Sequence, residues 1–217
     1  IYVALTVGAE NYMNLGDNFI QEGLANRISP FTTNKPGAKN FDTEKTYNNM
    51  MNRYRYGGLD QKGLYIDETV MRMCYTHRRL FAQLALALIS EQKNDKALKV
   101  LQKADKVMPE YNVPYNYMGG SLDFAKAYAI LGKKAEASNI LDKVWHNAVQ
   151  YAQYYLQLEG SRFSQSQRDC MIQLSIMNQA CEVYAMLDKT KAAKAGQTLD
   201  ALYRMYVGKG GHADAQE

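Results

Sequence analysis

The spacing of apolar residues differs between the first forty residues and the rest of the chain. Residues 2–7 are mostly apolar and include β-branched side chains, which predicts a short buried strand. Residues 11–22 carry apolar side chains at helical spacing and predict a helix. Residues 27–31 predict a second strand that Pro30 stops. Together they indicate a small α/β segment over residues 1–41, the end of an upstream domain.

From residue 42 onward the pattern predicts only helices joined by short turns. Asp42 can cap a helix that runs to about Tyr56, and Asp67 can cap a long amphipathic helix through Glu91. The whole chain has only 15 Gly and 4 Pro, which suits a helical protein. Residues 42–217 are therefore predicted to form one helical domain.

An internal repeat gives this helical domain an architecture. Small residues recur where two helices must approach closely, and bulky residues recur where helices interlock. This pattern is typical of the tetratricopeptide repeat, a helix-turn-helix unit of about 34 residues. The predicted fold is mostly α, a tetratricopeptide-like solenoid, and the alternative is a generic helical bundle with chance similarity. The two clearest copies are forty residues apart, in Ala85, Leu88, Ala97 and Leu101 and in Ala125, Tyr128, Ala137 and Leu141, with a weaker copy from about Val183.

Several segments of the chain also resemble one protein family. They are Asn11–Leu15, Glu22–Ala25, Tyr47–Tyr54, Gly57–Leu59, Tyr65–Glu68, Arg78–Ala85 and Met108–Tyr115. They are similar to the soluble C-terminal region of a family of bacterial multi-spanning membrane proteins, and the likeness covers roughly residues 1 to 160.

In that family a long membrane domain, similar to protein O-mannosyltransferases, precedes a soluble tail with tetratricopeptide repeats. The resemblance implies that this chain is the tail of a lipid-sugar-dependent glycosyltransferase, tethered on the periplasmic side of the inner membrane. The acidic residues expected to catalyse transfer belong to the membrane domain, so the resemblance assigns no catalytic residue to this chain.

The net charge, the length of the apolar runs and the Cys and His residues do not favour several classes of function. A net charge of +4 is only mildly basic, which does not favour nucleic-acid binding. The longest nearly apolar run, residues 80–89, is half the length that a membrane-spanning helix needs. The three Cys form no CxxC pair and are interpreted as buried free thiols. The three His occupy separate segments without a second metal ligand nearby, and His77, beside two arginines, is expected on a solvated helix face. We therefore expect no metal, no cofactor, no direct membrane insertion and no catalytic activity.

Two aromatic clusters have both a structural and a functional interpretation. Residues 53–56 interleave Arg with Tyr, as nucleic-acid and sugar-binding surfaces do, although inward tyrosines and solvated arginines explain the pattern more simply. Tyr151, Tyr154 and Tyr155 could line a carbohydrate-stacking surface, but packing is the commoner role of aromatic residues at helical spacing. Gly208–Gly211 has the composition of a phosphate loop without its strand and helix, which favours a flexible terminus that continues into His212.

Two functional classes follow. In the first, the chain is a non-catalytic interaction module whose concave face binds a protein, a peptide or the parent's own membrane domain. In the second, it is an accessory domain that recognises the acceptor or the glycan of the transferase. A groove with polar anchors and without exposed aromatic residues favours the first, and exposed tyrosines beside arginines favour the second. Both are compatible with an inert structural tail, which is a third possibility. The residues predicted on the concave face are Arg79, Gln83, Lys126, Asn178 and Glu182.

Overall fold

The computed structural model describes residues 1–33 and 40–211, and it is mostly helical with a small three-stranded antiparallel sheet. The contacts divide the chain into two units, Ile1–Pro114 and Tyr115–Glu217. The first unit contains the sheet and the first three helices, and the second contains the last four helices of the described residues. The predicted boundary between residues 41 and 42 stays a prediction.

The sheet of the first unit is built from β1 (Tyr2–Ala4), β2 (Phe19–Gln21) and β3 (Ala25–Ile28). β3 lies in the centre, antiparallel to both neighbours, so that Arg27 is paired with Tyr2 on one side and with Ile20 on the other. Both predicted strands therefore exist, and the second one ends before Pro30 as expected.

The helix predicted over residues 11–22 is wrong. The chain forms two short 3-10 turns there, Ala9–Asn11 and Gly16–Asn18, before it enters β2. Asn14 lies in the left-handed region with a φ of 62°, which a continuing helix cannot accommodate. The segment is rich in Asn, Gly and Asp, which favour turns, and this local preference overrides the helical spacing of its apolar residues. The N-terminal segment is therefore a β-sheet with turns and not an α/β unit.

A buried carboxylate joins the sheet to the first helix. Glu22 is 4% exposed, and its Oε1 accepts hydrogen bonds from Arg27 Nε at 2.6 Å and from Lys45 Nζ at 2.9 Å. Its Oε2 accepts a third from the Tyr2 hydroxyl at 3.0 Å. Burial by itself would raise the pKa of Glu22, but the hydrogen bonds from Lys45, Arg27 and Tyr2 hold that pKa below its usual value.

The first helix, α1 (Thr43–Asn48), begins at the predicted cap, because the Asp42 carboxylate accepts a hydrogen bond from Lys45 N at 2.9 Å. It continues as a π-helical turn over Asn49–Arg53 and ends there, earlier than the predicted Tyr56. The Tyr54 hydroxyl accepts a hydrogen bond from Leu24 N, so a tertiary contact draws Tyr54 out of the helix.

The predicted helix pair after Asp67 is present as α2 (Glu68–Ser90) and α3 (Asn94–Val107), which pack on each other. The Asp67 carboxylate caps α2 by accepting a hydrogen bond from Val70 N at 2.9 Å. Ala85 and Ala97 are both completely buried, as the close approach of two helices requires.

Two residues of α2 are more deeply buried than the sequence suggests. The solvated position expected for His77 is wrong: its ring packs edge-on against Tyr56 at 5.9 Å, and burial lowers the pKa of the imidazole. Arg78 is completely buried, and its guanidinium donates to the carbonyl oxygens of Met108 at 2.6 Å and Pro114 at 2.9 Å. Arg78 therefore fixes the segment that follows α3.

The second unit consists of α4 (Ser121–Ile130), α5 (Lys134–Gln157), α6 (Gly160–Leu187) and α7 (Lys189–Gly208). Consecutive helices pack on one another, and in addition α4 packs on α6 and α5 packs on α7. The end of α5 at Gln157 is the predicted one. These contacts place the core of this unit along the seams between successive helices.

The flexible terminus predicted for Gly208–Gly211 is wrong. Gly208 closes α7, Gly210 adopts a φ of 80°, and Gly211 N donates to Tyr206 O at 3.0 Å. This is a helix C-cap that needs a glycine in the left-handed region, and a Cβ on Gly211 would collide with the Tyr206 ring. His212 lies outside the described residues.

The packing of α2 on α3 predicts the effect of a larger side chain at Ala97. We expect Ala97→Leu to lower the free energy of unfolding by about 1–3 kcal/mol, because the buried site has no space for the added atoms. Ala193→Leu, at an exposed helical position, is the control and should change it by less than about 0.5 kcal/mol. Chemical denaturation measures both, and equal effects of the two substitutions would contradict this packing.

The contacts of Glu22 predict a loss of stability in acid. The pKa of Glu22 lies below its ordinary 4.5 in the folded chain, so its contribution is fully present above that value. It disappears as the pH falls through the lower, folded-state pKa. We expect the free energy of unfolding to fall less steeply from about pH 5 to about pH 3 in Glu22→Gln than in the wild type. Glu10→Gln, which changes an exposed carboxylate, should leave the wild-type slope unchanged.

Candidate binding groove

An open groove in the second unit is lined by α5, by α6 and by the 3-10 turn Tyr117–Gly119. Its volume is about 580 Å³, within the range of sites that bind small molecules or peptide segments. The side chains around it come from helix faces and from the turn, and we call it the tyrosine groove because three of them are tyrosines. The lining residues are Asn116, Tyr117, Met118, Val144, Asn147, Ala148, Tyr151, Tyr155, Ile172, Gln173 and Ile176.

The groove exists because α4 is much shorter than the helices on which it packs. α4 has 10 residues, whereas α5 has 24 and α6 has 28. α4 and α5 form a hairpin across a three-residue turn, so α4 covers only the N-terminal part of α5. Before α4, Gly120 turns the chain with a φ of 67°, and Asn116 Oδ1 caps the 3-10 turn by accepting from Gly119 N at 2.9 Å. The C-terminal half of α5 and the facing part of α6 therefore remain uncovered on this side.

One wall of the tyrosine groove is aromatic, and its buried floor is aliphatic. Tyr151 is 55% exposed, and its ring lies nearly parallel to that of Tyr155, with the centroids 6.5 Å apart. Beneath them Val144, Ala148 and Ile176 are buried. Aromatic side chains supply much contact area for little loss of conformational entropy. The groove side chains would therefore need little ordering when a ligand binds.

None of the described residues that line the tyrosine groove carries a formal charge, although 22% of the chain is charged. Its polar groups are phenol hydroxyls and side-chain amides. In the described part of the chain, no protein hydrogen bond engages the hydroxyls of Tyr117 and Tyr151 or the amides of Asn147 and Gln173. Burial, together with the nearby Asp169, raises the pKa of Tyr155, which keeps that phenol neutral. The groove therefore offers neutral hydrogen-bonding groups on an apolar surface.

The predicted concave-face residues lie elsewhere. Arg79 and Gln83 are exposed one turn apart on α2, where Gln83 Nε2 donates to Gln21 Oε1 at 3.5 Å. Lys126 on α4 is exposed, as are Asn178 and Glu182, which lie one turn apart on α6. None of the five lines the tyrosine groove. Their assignment to a partner-binding face stays a prediction.

The two aromatic clusters predicted from the sequence, residues 53–56 and the tyrosines of α5, differ in how far they are buried. In residues 53–56 both tyrosines are half-buried and hydrogen-bonded, with the Tyr56 hydroxyl donating to Met50 O at 2.9 Å, while Arg53 and Arg55 are exposed. The structural interpretation of that cluster is confirmed. For the cluster on α5, a role in the core is wrong for Tyr151 and Tyr154, which are 55% and 57% exposed, and packing at an interface stays a prediction.

A polar cluster on the opposite face of α5 brings a serine close to a lysine. Lys191 Nζ donates to Ser138 Oγ at 3.2 Å and to Asp142 Oδ2 at 2.7 Å, and the Tyr184 hydroxyl donates to Asp142 Oδ1 at 2.6 Å. A lysine that activates a serine must have its amine free to accept the serine proton, but the Lys191 side chain is held in an ion pair with the Asp142 carboxylate. This cluster therefore connects α5, α6 and α7 and is not arranged for nucleophilic catalysis.

The thiols of the chain are also placed for packing. Cys74 and Cys170 are buried and free, as predicted, and Cys181 is half-buried. Burial raises the pKa of Cys170 to about 11, so its thiol stays protonated and unreactive at neutral pH. Among the described residues no group of three or more His, Cys, Asp or Glu side chains could hold a metal ion.

Comparisons of the chain with family models, with curated proteins and with solved structures found no significant match. Within the described ranges, no helix has both the length and the apolarity needed to cross a membrane.

Tyr117, Met118 and Ile172 line the tyrosine groove, but nothing in the sequence analysis predicted them as binding residues. Tyr117 and Met118 belong to a segment without helical periodicity, and Ile172 looks like an ordinary core residue of α6. The sequence signal that could have revealed the site is the pair Gly119-Gly120, which marks the start of α4. A late start makes α4 short, so that part of α5 is left uncovered.

The exposure of Tyr151 in the groove and of its neighbour Tyr154 on α5 predicts the chemical reactivity of these tyrosines. We expect tetranitromethane to nitrate Tyr151 and Tyr154 well before Tyr184, which is 2% exposed and whose pKa is raised by burial and by Asp142. Mass spectrometry of proteolytic peptides reports the rate at each tyrosine. Nitration of Tyr184 as fast as Tyr151 would show that α5 and α6 do not pack as described.

Proposed function

We propose that this chain is a non-catalytic helical-repeat module that binds a segment of another protein, or of its own parent's membrane domain, in the tyrosine groove. The observation that carries the proposal is the groove itself: an open, uncharged surface with three tyrosines on long packed helices. Protein interfaces are depleted of charge at their centre and enriched in Tyr and Met, which matches this lining.

The helix contacts of the second unit support a tetratricopeptide-like arrangement. In a helical repeat, the first helix of each pair packs on its own partner and on the first helix of the next pair. α4 packs on α5 and α6, and α5 packs on α7 as well as on α6, as expected if α4/α5 and α6/α7 are successive repeats. Such helical scaffolds commonly present a surface for peptide segments.

The position of the module in a larger protein is also a proposal. The resemblance of residues 1 to 160 to the soluble tail of a membrane glycosyltransferase family supports a location on the periplasmic side of the inner membrane. The predicted polar face, with Lys126, Asn178 and Glu182 exposed on α4 and α6, would then act as a second, charge-dependent contact.

The second candidate function is recognition of the acceptor or the glycan. Exposed tyrosines such as Tyr151 and Tyr154 favour it, because sugar rings stack on exposed aromatic faces. Among the described residues, however, no arginine lines the tyrosine groove, so the pairing of tyrosine with arginine expected of a sugar-binding surface is missing there. The exposed aromatic residues in turn differ from the purely polar groove expected of the first function.

Photo-crosslinking from within the groove tests the proposed function in the full-length parent protein. We expect p-benzoylphenylalanine placed at Tyr151 to crosslink to a defined protein segment in native membranes, because the groove would hold that segment against the probe. The matched control is the same substitution at Tyr203, an exposed tyrosine of α7 outside the groove.

Equal crosslinking from both positions, or none from Tyr151, would contradict a protein ligand in the groove. Crosslinking from Tyr151 to carbohydrate would support the second candidate instead. Mass spectrometry of the crosslinked product distinguishes these outcomes, and thermal unfolding verifies that both variants fold as the wild type does.

A further inference from the structure

We propose that the segment held by the tyrosine groove is an uncharged, proline-rich stretch in the polyproline II conformation. This inference rests on the proposed function, because it names the class of partner for the same groove. Three properties of the lining carry it. Its described residues have no formal charge, the side-chain amides of Asn147 and Gln173 make no protein hydrogen bond within the described ranges, and the rings of Tyr151 and Tyr155 form an aromatic wall.

The absence of charge in the lining selects against charged segments. A Lys, Arg, Asp or Glu side chain that entered the groove would lose water without gaining an opposite charge from any of the 11 lining residues. An acidic or basic peptide would therefore bind poorly, and binding of the favoured segment should depend little on ionic strength.

The hydrogen-bonding groups match a backbone that consists mainly of acceptors. A polyproline II segment makes no internal hydrogen bonds, and each proline lacks an N–H, so its carbonyl groups need donors from outside. The tyrosine hydroxyls and the amides of Asn147 and Gln173 can donate, and these two amides are not engaged by the protein in the described residues. Donors on the groove and acceptors on the segment are thus complementary.

The shape of the walls also suits proline rings. Aromatic-lined grooves recognise polyproline II segments because flat apolar rings pack on each other and the segment is already ordered. Along α5 the lining extends from Val144 to Tyr155, three turns or about 16 Å. About five residues of polyproline II, at about 3.1 Å each, cover that length.

An oligosaccharide fits the same groove less well. Each sugar carries several hydroxyl groups, and burying a hydroxyl without a partner is unfavourable. The floor and one wall are aliphatic, from Val144, Ala148, Ile172 and Ile176, and offer no hydrogen-bond partner. Proline and other apolar side chains lose no hydrogen bond on that surface, so the lining favours a peptide.

Selection from a random peptide library on the 217-residue chain tests the inference without assuming a peptide sequence. We expect the wild type and Tyr203→Ala to enrich the same peptides, which are uncharged and contain two or more prolines. Tyr151→Ala should not enrich them. Groove-dependent peptides without prolines would overturn this inference but keep the proposed function, whereas the absence of any groove-dependent peptide would count against both.

Calorimetric titration then measures how much Tyr151 and the prolines of the peptide each contribute to binding affinity. The probe is a capped peptide in which pairs of prolines alternate with leucine, and an analogue with every proline replaced by alanine is its control. Tyr151→Ala should weaken binding of the proline peptide at least about tenfold, and Tyr203→Ala less than about twofold. The alanine analogue should bind at least about tenfold more weakly to the wild type.

Two lysine substitutions on α6 test the lack of charge. Ile172→Lys places a cation in the groove, whereas Met186→Lys changes a similarly exposed residue outside it. Only Ile172→Lys should weaken binding of the proline peptide, and wild-type affinity should be nearly independent of salt. Equal affinity for both peptides, an equal effect of both lysines, or groove-dependent binding of a neutral oligosaccharide in place of the peptide would overturn the inference.

Discussion

The length of α4 is the constraint on which the second unit depends. Because α4 begins at Ser121, after the left-handed Gly120, it covers α5 only in part and leaves the face from Val144 to Tyr155 open. A longer helix in that place would bury Tyr151 and Ile172 and leave an ordinary helical bundle. The tyrosine groove is thus a consequence of the short α4 and of the 3-10 turn that precedes it and lines one side of the groove.

A binding groove is selective only if the helices that line it keep fixed relative positions. On the opposite face of α5, Asp142 accepts hydrogen bonds from Tyr184 of α6 and Lys191 of α7, which holds three helices in register. The Lys191 ammonium also lies 5.0 Å from the centre of the Tyr184 ring. These contacts hold α5 in place from the face opposite the groove. Tyr151 can therefore be exposed on the groove side while the position of α5 stays fixed.

The sequence predicts the regular helices well and the open surface poorly. A cap at Asp67 and a periodic apolar face define α2, and the small residues Ala85 and Ala97 identify its contact with α3. Residues 11–22 are predicted wrongly because apolar spacing in a short window does not distinguish a helix from turns that pack on a strand. Tyr151 has helical spacing typical of a core residue, but spacing cannot tell how long the neighbouring helix is. The start of α4 is marked instead by the turn at Gly119-Gly120, which helical spacing does not reveal.

Methyl NMR of the 217-residue chain with labelled methionine tests most directly whether the tyrosine groove is the binding surface. The account predicts that a proline-rich peptide shifts the ε-methyl signal of Met118, which lines the groove. The signals of Met186 and Met205, exposed on α6 and α7 outside it, should stay in place. Shifts at Met186 and Met205 without a shift at Met118 would contradict the account.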